Sequence, residues 1–103
     1  MAKRLHEAAK AKDVELSLDE LRKLYKLMVT VRIFNEKATL LQRQGRLHSF
    51  LNCIGQEAAI IGSARALRPR DWIFPTYREH PIPLMRGVAL KELFNHLIAN
   101  GAD

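Results

Sequence analysis

One cysteine, four prolines and five glycines in 103 residues leave this chain few ways of fixing its backbone other than packing. A lone Cys53 excludes an internal disulfide and cannot assemble a zinc cluster, a usage that fits a reducing compartment. Long apolar runs are missing too. None approaches the roughly eighteen residues needed to cross a bilayer, so the chain is expected to be soluble, with no membrane partner. Residues 1–16 lack a hydrophobic signal core, and Glu7, Asp13 and Glu15 count against an acid-poor transit peptide, which leaves the cytoplasm as the expected location. No Gly-rich phosphate loop, HExxH pattern or Ser-His-Asp arrangement occurs, removing P-loop hydrolysis, zincin chemistry and triad hydrolysis from the candidate functions. His6, His48, His80 and His96 are not spaced as a metal set, so this chain alone is expected to hold no metal.

What remains is ordinary globular material, 48% hydrophobic and 27% charged, enough for one core but without room for a second domain. The net charge of +6 favours anionic partners such as phosphates or an acidic protein surface. The surplus is diffuse. Its densest stretches are Lys3-Arg4 with Lys10 and Lys12, Arg22-Lys23 with Lys26, and Arg65, Arg68 and Arg70, none a run of five like charges. Nucleic acid is therefore not an expected partner, and the Arg65-Arg68-Arg70 edge ranks last among the readings.

The elements read as mainly α. Ser17 and Glu20 form a capping box in which each side chain meets the other's backbone amide, with Leu16 placed to pack on Leu21. Leu21, Leu24, Met28, Val31, Ala38 and Leu41, widened by Leu27 and Phe34, predict a helix of about 27 residues that runs to Gln44 and is closed by Gly45. A stripe about 40 Å long exceeds what the remaining short elements can cover, so this helix is expected to have further neighbours. Arg46 to Ile54 reads as irregular, with a short extended piece around His48-Ser49-Phe50-Leu51. A second helix, opened by Gly55, spans Gln56 to Leu67. Its Ala58, Ala59, Gly62, Ser63 and Ala66 make one side small, and Gly62 in mid-helix predicts close approach by another helix. Asp71 to Pro75 reads as a strand or extended loop, Pro81 and Pro83 open a short helix ending near Gly87, and Leu90, Leu93, Phe94, Leu97 and Ile98 define a last helix stopped by Asn100-Gly101. Cys53 is expected to be a small core residue, and residues 1–16, without an apolar stripe, a flexible arm.

Two clusters carry the chemistry: Gly55-Gln56-Glu57-Ala58, and Asp71-Trp72-Ile73-Phe74-Pro75-Thr76-Tyr77-Arg78-Glu79. With Arg43-Gln44-Gly45-Arg46 before them and Met85-Arg86-Gly87 after, they resemble the N-terminal part of the alpha subunit of thiamine-diphosphate-dependent 2-oxoacid dehydrogenases, of pyruvate or branched-chain type, over residues 18–103. The resemblance implies that residues 17–103 are the N-terminal helical portion of an α/β thiamine-diphosphate-binding fold, incomplete here. The family's Gly-Asp-Gly…Asn segment, which holds magnesium, lies beyond Asp103. It implies thiamine diphosphate as cofactor, with magnesium held by that absent segment, and Tyr77 and Arg78 as cofactor contacts. A planar guanidinium fork suits diphosphate oxygens, and a neighbouring phenol adds one hydrogen bond.

Phe50 and Leu51 match the strip that lines the 2-oxoacid pocket in this family, with Phe50 as simple core filler the open alternative. Where pyruvate enzymes carry a His in that strip this chain has Leu51, and His48 does not inherit its role. Glu57 reads as a helix-start carboxylate, and its helix is implied to pack at the subunit interface. His80 reads as structural. Asn35 stands where Asp is common, removing a charge from a network with Arg32, and Pro81 leans towards pyruvate. The implied function is decarboxylation of a 2-oxoacid, pyruvate favoured, and transfer of the acyl group to lipoyl. The implied partners are the beta subunit, the remaining alpha-subunit segment and the lipoyl acyltransferase component, in a heterotetrameric decarboxylase. No catalytic residue is assigned to this chain, because the activating Glu belongs to the beta subunit; alone, as a fragment or a separately encoded part, it is expected to be inactive. The alternative is a non-catalytic interaction module whose long helix dimerises or docks on a partner.

Overall fold

The computed structural model describes residues 16–101, so all of the expected N-terminal arm except Leu16 lies outside the described residues. Four helices make up the regular structure: α1 (Leu18–Arg43), α2 (Glu57–Arg65), α3 (Pro81–Met85) and α4 (Leu90–Ile98). Among the described residues there is no strand; His48 to Leu51 and Asp71 to Pro75 are both irregular.

Helix α1 begins as its sequence requires. The Glu20 amide donates to Ser17 Oγ at 3.2 Å, the Ser17 amide donates to Glu20 Oε2 at 3.1 Å, and one carboxylate thus closes the first turn. The other Glu20 oxygen takes Arg65 Nη2 at 2.8 Å, tying the start of α1 to the end of α2. At the far end Gly45 adopts φ +74, the left-handed value that ends a helix without Cβ strain. Helix α4 stops differently from the expected Asn100-Gly101 signal. Its left-handed residue is Ala99, at φ 55, with the Asn100 amide reaching back to the Asn95 carbonyl.

One face of α1 supplies the floor of two adjoining cores. Phe34 and Ala38 pack with Leu47, Phe50 and Leu93. Val31 packs with Cys53, Ile60 and Ile61, so Cys53 is a core residue as expected. Leu84 on α3 touches both clusters and closes the seam between them. Arg86, just past α3, donates to the carbonyls of Pro69, Arg68 and Asp71, pinning the long connection that follows α2.

The small-residue side of α2 corrects one expectation. Ala58, Ala59, Gly62, Ser63 and Ala66 all face outward, and a Cβ built on Gly62 meets nothing within 4 Å. No helix among the described residues approaches it, because α2 turns its Ile60-Ile61 edge, not its small edge, towards α1 and α3.

Ser17→Ala removes the cap of α1 and is expected to cost about 1 kcal/mol. Ala99→Gly relieves the left-handed strain and is expected to add about 0.5–1 kcal/mol. Urea unfolding followed by far-ultraviolet circular dichroism reads both, and the two shifts should have opposite signs.

Candidate functional site

A buried amide organises the region where the chemistry-bearing residues meet. Asn35 lies on the core face of α1 with none of its surface exposed. Its Nδ2 donates to the Val31 carbonyl at 2.7 Å and to Cys53 Sγ at 3.3 Å. Its Oδ1 accepts from the Cys53 amide at 3.0 Å and lies 2.9 Å from His80 Nε2. An amide oxygen can only accept, so the proton of His80 must sit on Nε2. Asn35 therefore joins α1, the Cys53 connection and the entry to α3 through four contacts, with both polar atoms of its own amide satisfied. Its partners are Val31, Cys53 and His80, and the ion pair of Arg32 goes to Glu57, as suits a neutral residue at position 35.

Glu57 is more than a helix-start carboxylate. It is buried at the foot of α2, takes Arg32 Nε through Oε1, and accepts the Gly55 amide through Oε2 at 2.9 Å. The Arg32 guanidinium holds its carboxyl below the usual carboxylate range. Burial pushes the Cys53 thiol up, leaving it protonated and unreactive at neutral pH.

His80 is held between Phe34, at 5.5 Å between centroids, and Phe50, at 5.2 Å. Burial depresses its pKa, with the neighbouring Glu79 pulling weakly the other way. Immediately before it, the Glu79 carboxylate accepts from both the amide and the hydroxyl of Thr76, closing a tight turn around Tyr77 and Arg78. That turn is pinned at one end by His80 and Asn35 and at the other by its own carboxylate clamp.

The pair inside the turn stays together. Arg78 Cζ lies 5.8 Å from the Tyr77 ring centroid, a cation–π distance, and Arg78 Nη1 donates to the Asn52 carbonyl at 2.6 Å. This fixes the guanidinium at one corner; among the described residues, neither Nε nor Nη2 has a hydrogen-bond partner. Tyr77 is 71% exposed.

Phe50, Leu51 and Tyr77 line one concave surface of about 440 Å³, walled on the far side by Leu93, His96 and Leu97 of α4. Phe50 is buried and also packs edge-on against Phe34, so it serves core and cavity wall at once; Leu51 is exposed. Arg78 sits beside this cavity and does not line it, and α2 takes no part in it. The Arg65-Arg68-Arg70 edge is partly neutralised, Arg65 by Glu20 and Arg68 by Asp71. The Asn35 hub, the Arg32–Glu57 pair and the Thr76–Glu79 clamp are contacts around the candidate site that the sequence left unread. The adjacency of Glu79 to the Tyr-Arg pair was the one available signal.

The family model for the dehydrogenase E1 component matches residues 25–103. The 2-oxoisovalerate dehydrogenase subunit alpha 2 of Arabidopsis thaliana is 43% identical over 90 residues, covering 87% of this chain and 19% of that protein. The 3-methyl-2-oxobutanoate dehydrogenase subunit alpha of Mycobacterium tuberculosis is 46% identical over 74 residues, 72% of this chain and 20% of its own length. The pyruvate dehydrogenase E1 component subunit alpha of Acholeplasma laidlawii is 42% identical over 86 residues, 84% and 25% respectively. The chain thus spans about a fifth to a quarter of the length of these curated relatives. Comparison with solved structures gives no significant match.

Because the folded His80 has a pKa below that of the unfolded chain, unfolded molecules bind the extra proton first as pH falls. Stability is expected to be full above the ordinary His value and to drop as pH passes below it. In His80→Gln, whose amide can still donate to Asn35, that loss should vanish. Melting temperatures between pH 7.5 and pH 5, a range bracketing the ordinary His pKa of about 6.5, test it.

Proposed function

From the premise that this chain belongs to the dehydrogenase E1 component family, we propose that it serves as the N-terminal part of a thiamine-diphosphate-dependent 2-oxoacid decarboxylase alpha subunit. The observation that carries this reading is the closed Thr76–Glu79 turn. It presents a half-anchored guanidinium and an exposed phenol side by side, next to a concave apolar surface.

The donor set fits a diphosphate. Arg78 has Nε and Nη2 on offer while Nη1 is braced on Asn52, so its fork loses little rotational freedom on meeting an anion. Tyr77 brings a hydroxyl donor and a ring to pack against a heteroaromatic ligand. When bound, thiamine diphosphate supplies the electron sink that makes loss of carbon dioxide feasible. This chain binds and orients; the magnesium ligands and the activating carboxylate come from the rest of the alpha subunit and from the beta subunit, and the acyl group passes on to the lipoyl acyltransferase component.

Phe50 and Leu51, with Leu93 and Leu97 opposite, give the cavity an apolar wall that keeps water from the reacting carbon and suits an aliphatic acyl chain. Relatives named for 3-methyl-2-oxobutanoate and 2-oxoisovalerate support a branched substrate over the pyruvate suggested by Pro81. Pyruvate is the second reading, supported by the Acholeplasma relative.

The test is co-expression with polypeptides supplying the remainder of an alpha subunit and a beta subunit, followed by calorimetric titration of thiamine diphosphate with magnesium. Arg78→Ala is expected to weaken binding about 10- to 100-fold, the range for losing charge-assisted hydrogen bonds, and Tyr77→Phe less. Unchanged affinity in Arg78→Ala would overturn the assignment. Tight binding of cofactor and magnesium by the isolated chain would overturn the half-site. In the same complex kcat/KM should favour 3-methyl-2-oxobutanoate over pyruvate, and a Leu51→Ala variant should narrow that preference, a few methylenes in an apolar pocket being worth roughly tenfold or more.

A further inference from the structure

The carboxamide of Gln42, in the last turn of α1, meets both backbone groups of Phe50 further along the chain. An amide oxygen only accepts and its NH2 only donates. The orientation that satisfies both has Nε2 donating to the Phe50 carbonyl at 3.1 Å and Oε1 accepting the Phe50 amide at 3.2 Å. No other group among the described residues pairs with either. Phe50 is 7% exposed, and the backbone groups of a buried residue need partners that its irregular segment does not supply. One side chain thus stands in for the neighbouring strand that this connection lacks.

The chain reaches that point by local rules. Gly45 turns it back at the end of α1, the Arg46 amide donates to the Leu41 carbonyl at 2.9 Å, and Leu47 is buried in the cluster of Phe34 and Ala38. From there Phe50, Asn52 and Cys53 are each held by a different side chain. Gln42 holds Phe50, Arg78 Nη1 holds the Asn52 carbonyl at 2.6 Å, and Asn35 Oδ1 holds the Cys53 amide at 3.0 Å. Leu51 lies between the first two holds, 44% exposed and on the wall of the 440 Å³ cavity. Of the three side chains, Gln42 alone acts ahead of Leu51.

We propose that Gln42 is a positioning residue for substrate selection. By holding the Phe50 backbone it sets how far the Phe50-Leu51 wall stands from Leu93 and Leu97 across the cavity, and so which acyl chain the cavity accepts. The inference rests on the reading of that cavity as the acyl pocket. Gln42 does not line the cavity itself, so it acts through Phe50 and Leu51. Without it the strip keeps its downstream holds at Asn52 and Cys53. Arg78 then stays braced on Asn52 while Leu51 gains freedom, and loss of Gln42 separates acyl selection from cofactor binding.

The experiment uses the co-expressed alpha–beta complex carrying Gln42→Met, close in length but unable to pair with both backbone groups. The kcat/KM ratio of 3-methyl-2-oxobutanoate to pyruvate should fall about three- to tenfold, the range for lost hydrogen bonds. The fall should come through a higher KM for the branched acid with kcat little changed, and calorimetric affinity for thiamine diphosphate should stay within about twofold of wild type. In the full chain on its own, exchange of the Phe50 amide proton followed by nuclear magnetic resonance should quicken by a similar factor, with the Cys53 amide and the helical dichroism unchanged. Gln42→Glu, whose carboxylate still accepts the Phe50 amide but cannot donate to its carbonyl, should fall between wild type and Gln42→Met in both readouts. Quickened Phe50 exchange with an unmoved substrate ratio makes the contact structural only and overturns the proposal. Unchanged Phe50 exchange also overturns it, and so does a loss of cofactor affinity as large as the change in ratio. Arg78→Ala in the same complex separates the two levels. Weakened cofactor binding there, beside an unmoved ratio in both Gln42 variants, strikes this inference alone, whereas retained binding overturns the site reading beneath it as well.

Discussion

Everything distinctive in this structure depends on the buried carboxamide of Asn35. A fully buried amide left without partners costs about 1–3 kcal/mol per unsatisfied group, so its surroundings must be arranged to meet it. Here the arrangement is achieved by three segments far apart in sequence: the next turn of α1 at Val31, the irregular connection at Cys53 and the first residue ahead of α3, His80. The oxygen accepts twice, and that fixes the tautomer of His80 and the direction of its ring.

From that hub the geometry of the candidate site follows by short steps. His80 is clamped between Phe34 and Phe50, so the same ring that satisfies Asn35 also orients the aromatic wall of the cavity. The turn carrying Tyr77 and Arg78 ends at His80 and is closed by Glu79, so neither side chain depends on a long loop for its placement. Asn52, next to Cys53, then braces the Arg78 guanidinium through its carbonyl. The neutral amide of Asn35 keeps this hub uncharged, which matches a buried imidazole whose pKa burial depresses.

The sequence disclosed the elements well and their relations poorly. The Ser17–Glu20 capping box, the run of α1 and the glycine that ends it, the proline-led α3 and the periodic α4 are local events, and all stand where local chemistry puts them. The Tyr-Arg pair and the Phe50-Leu51 strip were found as motifs, and that one cavity gathers Phe50, Leu51 and Tyr77 follows from the packing. The hub was illegible because an asparagine within an apolar stripe looks like a blemish until Cys53 and His80, distant in the chain, arrive beside it. The Arg32–Glu57 pair was hidden for the same reason. The outward small face of α2 misled, since composition says that a surface is small without saying which way it points.

The central claim is that the hub-held turn delivers the Arg78 guanidinium to a diphosphate. The most direct measurement is a crystal structure of the assembled alpha–beta complex with thiamine diphosphate bound. The account predicts Arg78 Nε or Nη2 within about 3 Å of a diphosphate oxygen, with Nη1 still on the Asn52 carbonyl and His80 still on Asn35. A diphosphate held elsewhere, with the Arg78 side chain directed away from it, would contradict the account.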